Sequence, residues 1–60
     1  MQVEFWRRCP GVHRHAITVE MDSVPHVGDS VSLDRGNSEH LVHSVVFDIL
    51  NKTVRVLVHV

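Results

Sequence analysis

The sequence predicts an all-β fold, a five-stranded antiparallel small barrel formed by one domain of 60 residues. Three observations lead there. Val54, Val56, Val58 and Val60 take every second position of the last eight residues, with Thr53, Arg55, Leu57 and His59 between them. A period of two over a full strand length marks a sheet with one face buried. Shorter stretches of the same alternation recur along the chain, and no helical period accompanies them. Five short strands cannot fill two packed sheets, so closing a single sheet on itself is the economical arrangement. Closure would also remove the unpaired edges that invite aggregation.

Taken in order, residues 2–7 read as the first strand, with Val3 and Phe5 in phase and Glu4 and Trp6 opposite. Residues 8–14 read as a loop broken at Cys9-Pro10-Gly11, because proline removes a ladder donor and glycine permits a turn. The second strand spans 15–22, with Ile17, Val19 and Met21 on its apolar side. A connection follows over 23–28, where Pro25 holds Val24 extended and Gly28 offers a positive-φ position before the next strand. The third strand is short, 29–33, with Val31 and Leu33 inward, and a polar turn occupies 34–39. Residues 40–50 form the fourth strand, whose phase slips. Val42, Val45, Phe47 and Ile49 share a face only if one extra residue is inserted near His43-Ser44, the mark of a β-bulge. Asn51-Lys52 then reads as a two-residue hairpin loop leading into the valine strand, 53–60.

At Val27-Gly28-Asp29-Ser30-Val31-Ser32-Leu33, followed by a polar turn and a long hairpin, the chain resembles SH3-like small barrels, including those with a KOW motif. The resemblance covers residues 27–60. It departs from the KOW pattern in lacking the glycine after the following turn, so it implies an SH3-like architecture and no function. An OB-like barrel is the alternative.

Length and composition narrow the function classes. A chain of this size buries only about 60% of its unfolded surface, so one core leaves roughly 3–5 kcal/mol of net stability. Cys9 is the only cysteine, so an internal disulfide cannot supplement that core. A formal net charge of −1 argues against indiscriminate polyanion binding. Charge is uneven along the chain: residues 1–14 carry +2, residues 15–48 carry −5 and residues 49–60 carry +2. No apolar run approaches membrane-spanning length. A single thiol and no secretory leader point to the cytoplasm.

Three groups of residues could carry chemistry. The six histidines include His13 and His15 two apart, with Cys9 upstream and His40 and His43 later. Cys9, His13, His15 and one of His40 or His43 would supply enough ligands for zinc. Their spacing matches no common zinc signature, and solvent-facing polar residues on strands is the reading adopted, with no cofactor expected. Catalysis has no poised acid–base pair or activated nucleophile in the pattern, which points away from an enzyme. The third group is Trp6, Arg7, Arg8 and Arg14 with Leu57, and Val46 and Leu50 nearby on the same hairpin. Outward tryptophan and arginine are typical of binding hot spots. The expectation is a protein–protein interaction module that takes a partner or self-associates. A nucleic-acid module stacking bases on Trp6 is the alternative.

Overall fold

The computed structural model describes residues 1–33 and 38–59. Its strands are β1 (Gln2–Cys9), β2 (Val12–Glu20), β3 (Ser30–Val31), β4 (His40–Asp48) and β5 (Thr53–His59). They form one sheet in the order β2-β1-β5-β4-β3, curled into a half-barrel. The fold is all-β as expected, but the sheet is mixed. β1 and β5 run parallel, from Gln2 opposite Thr53 to Arg8 opposite His59, while the other three ladders are antiparallel. The reason is topological. Each connection reverses the chain, so the first and fifth strands point the same way. Once they become neighbours, their ladder has to be parallel.

The expected closed barrel is also corrected: β2 and β3 end the sheet as its two edges. Segment 21–29 joins these edges, and Met21 and Val24 within it pack against the core. Its last turn is built locally. The Asp29 amide donates to the His26 carbonyl at 3.0 Å, and the Asp29 carboxylate accepts from the His26 amide at 2.8 Å. Gly28, with φ 95°, takes the position of that turn where a side chain would be strained. The chain then joins β4 through Gly28 N–H to Val42 O and Val42 N–H to Asp29 O, at 3.1 and 2.9 Å.

Two hairpins differ from expectation. The first is tighter, since β1 runs on to Cys9 and β2 starts at Val12, leaving only Pro10-Gly11 as the turn. Proline presets φ at the first corner and Gly11, with φ 77°, supplies the second. The last is wider, because β4 stops at Asp48 and residues 49–52 make the turn. There the Asp48 carboxylate accepts from the Asn51 side-chain amide at 2.8 Å and its backbone amide at 3.1 Å. These two bonds hold the Asp48 carboxyl below the usual carboxylate range. The predicted turn at 34–39 falls mostly outside the described residues, as does Val60.

The bulge predicted near His43-Ser44 is present: Val42 faces Val58 and Ser44 faces Leu57, leaving His43 as the extra residue. A second bulge lies in β2, where Phe5 faces Ile17 and Trp6 faces His15, so Ala16 is inserted. With both bulges placed, the register lines up rows on the inner face. Val19, Val3, Val54 and Phe47 form one row, and Ile17, Phe5, Val56 and Val45 the next. The buried core is Val3, Phe5, Val42, Val54, Val56 and Val58. At about 1.5–3 kcal/mol for each fully buried side chain of this type, the valines of β5 anchor the sheet from its centre.

Candidate functional site

Alternation separates the residues expected to act together. Trp6 and Arg8 share the outer face with Leu57, which stands opposite Trp6 on β5. Arg7 points to the other face, and Arg14 stands opposite it on β2. Trp6 is half-buried and already engaged on several sides. Its indole N–H donates to Glu4 Oε1 at 3.0 Å. The His15 ring meets it edge to face at 5.3 Å, and the Arg55 guanidinium lies 5.4 Å from the ring centroid. The Arg55 guanidinium covers one face of the ring, so a base stacking on that face would first have to displace it.

Trp6 therefore organises the outer face without belonging to the core. Trp6→Ala is expected to cost about 1.5–3 kcal/mol, the sum of a hydrogen bond, an edge-to-face pair and a cation–π contact at about 0.5–1 kcal/mol each. Thermal unfolding checks this. A variant with no folded baseline would place the indole in the core and overturn the assignment.

The predicted zinc ligands are not brought to one point. His13 and His15 share the outer face, but Cys9, paired with Val12, alternates to the other side of the hairpin. His40 directs Nδ1 to the His59 carbonyl at 3.0 Å. His43 packs its ring against His59 at 4.9 Å. Among the described residues no three His, Cys, Asp or Glu side chains are grouped to hold a metal ion.

The site that the sequence did not reveal is the open seam of the half-barrel. A groove of about 340 Å³ runs between the β2 edge and the β3 side, lined by Phe5, Ile17, Val19, Met21, Pro25, Val31, Ser32 and Leu33. Seven of the eight are apolar, and none is a general acid or base. Phe5 is the buried floor, while Ile17 and Val19 on the rim are 40% and 36% exposed. Within the described residues β2 pairs with β1 alone. Every residue of β2 except Ala16 is exposed.

The first half of β2 carries the usual protection of an edge strand, with His13, Arg14 and His15 followed by the bulge at Ala16. Beyond the bulge, Ile17 to Val19 has no such protection. The signal in the sequence was the Ile17/Val19/Met21 stripe, which the closed-barrel expectation assigned to a sealed core. A second apolar group, Ile49 and Leu50, tops the β4–β5 turn, with Leu50 94% exposed. It offers side chains but no groove and no strand edge.

Among the described residues no helix is long and apolar enough to cross a membrane. Comparison with protein-family models, curated proteins and solved structures finds no significant match to this chain.

Proposed function

We propose that this chain is a non-enzymatic protein-binding module that takes an extended apolar segment of a partner protein into the seam between β2 and β3. The observation that carries the reading is the coincidence of an apolar groove with a strand edge that is unpaired among the described residues. An incoming strand would satisfy the outer N–H and C=O groups of β2 and place alternate side chains over Phe5, Ile17 and Val19. That is strand addition, in which main-chain bonds supply affinity and side-chain pockets supply selectivity. The groove lining holds no titratable side chain, which supports binding over catalysis. The engaged state of Trp6 favours a protein partner over single-stranded nucleic acid, which needs a free aromatic face.

The test is a library of displayed random peptides, panned against the protein and against Ile17→Lys. The wild type is expected to enrich sequences with apolar residues at alternate positions, and Ile17→Lys to lose them while still melting cooperatively. Equal enrichment on both proteins, or none on the wild type, would overturn the reading.

A further inference from the structure

One row of the outer face gathers nitrogen-bearing side chains from four adjacent strands. Arg8 on β1 stands opposite His13 on β2 and His59 on β5, and the His59 ring meets that of His43 on β4. With strands about 4.8 Å apart, the row spans roughly 14 Å. Arg8, His13 and His59 are exposed and His43 is half-buried. His43 joins the row because the β4 bulge inserts it beside His59. We propose that this row binds a dianionic oxyanion, phosphate or a phosphate monoester, through the Arg8 guanidinium and the protonated imidazoles.

The charges of the row favour this ligand. The guanidinium is permanently charged and presents a planar fork matched to an oxyanion, and protonated imidazoles add N–H donors, His43 through Nε2 because its Nδ1 lies 3.2 Å from Ser44 Oγ. Among the described residues no carboxylate stands in the row. Glu4 on β1 and Glu39 just before β4 each lie four residues along the chain from it, about 13 Å if extended. Glu20 on β2 is farther still, and β5 carries no acid. His40, the other titratable group of β4 near this end, is hydrogen-bonded to the His59 carbonyl. A metal ion suits the row poorly, because Arg8 stands at its middle and does not deprotonate.

The four groups also repel one another. Desolvation first, then Arg8, His59 and His13, push the His43 pKa below that of a free histidine. The empty folded protein thus resists protonation of His43, and stability falls as pH drops below the unfolded histidine value. A bound dianion opposes that trend, so binding of one that does not itself titrate, such as sulfate, takes up protons and strengthens toward acid pH.

The test follows the ring protons of all six histidines by NMR between pH 5 and 8. Sodium sulfate, which does not titrate in this range, is compared with sodium chloride at equal ionic strength. Sulfate is expected to raise the apparent pKa of His13, His43 and His59 by about half a unit or more. It is expected to leave His26, beside Asp29 on the 21–29 segment, unmoved. Affinity should rise about tenfold from neutral to mildly acid pH, and Arg8→Gln should abolish the selective shifts. Above about pH 6, where its second ionisation leaves it dianionic, phenyl phosphate is expected to reproduce them, and the monoanion dimethyl phosphate is not.

Equal movement of all histidines, or of none, would reduce the effect to ionic strength and overturn the proposal. An equal response to dimethyl phosphate would overturn the dianion assignment. Zinc shifting the same three histidines at neutral pH, undiminished in Arg8→Gln, would assign the row to a metal instead. The row lies on the opposite face from the seam, so the outcome is independent of the peptide experiment.

Discussion

Val56→Asp is expected to leave the chain unfolded at room temperature. Val56 has no exposed surface and sits in the central strand, paired with Phe5 on β1 and with Val45 on β4. Among the described residues no buried polar or charged side chain exists with which a carboxylate there could pair. An unpaired buried charge costs several kcal/mol even after its pKa rises to let it go neutral. The loss of apolar packing adds to this, against roughly 3–5 kcal/mol of net stability for so small a core. The far-ultraviolet circular dichroism of the variant should lose its β signature and show no cooperative melt. A folded variant melting near the wild type would mean that the inner and outer faces of β5 are exchanged.

Phe5→Ala should come close to the same result by a different route. The ring is 5% exposed and forms the floor of the seam between Ile17 and Val56. Truncating a buried phenylalanine costs about 3–5 kcal/mol through lost transfer energy and the cavity left behind. In a domain of this size each kcal/mol lowers Tm by about 4–8 °C, so a fall of at least about 12 °C is expected. The comparison with Trp6→Ala is the sharper test, since the two residues are adjacent and both aromatic. Phe5→Ala should be clearly the more damaging. If Trp6→Ala costs as much or more, the inner face of β1 is not where the sheet buries its weight.

Local features were legible where a residue type dictates its own conformation. The valine alternation of β5 identified the core face, and Val54, Val56 and Val58 are all buried. The phase slip at His43-Ser44 located a real bulge, because side chains on a strand alternate strictly and one inserted residue must shift them. Gly28 was placed at a positive φ, as its turn requires. The ends of strands were less legible. Pro10-Gly11 suggested a long loop but makes a tight turn, and the capping action of Asp48 on Asn51 stopped β4 earlier than hydrophobicity alone implied.

The candidate sites were legible only in part. Trp6 was correctly set on the outer face from its phase against Val3 and Phe5. Its engagement by Glu4, His15 and Arg55 was not readable, since two of those partners come from other strands. The grouping of Arg7 and Arg14 with Trp6 followed their closeness in sequence, which alternation undoes.

The sequence by itself determined that the protein is all-β, which side of each main strand is apolar, and where β4 is interrupted, though not the bulge at Ala16 in β2. Those properties depend on a residue and its near neighbours. Only the tertiary structure decided which strands lie side by side. It made β1 and β5 parallel neighbours, left β2 and β3 as open edges over an apolar seam, and drew Arg8, His13, His43 and His59 into one row. A period of two tells a strand which face to bury but nothing about which strand lies beside it. That choice is made by long-range packing of the whole core, and both proposed sites arise from it.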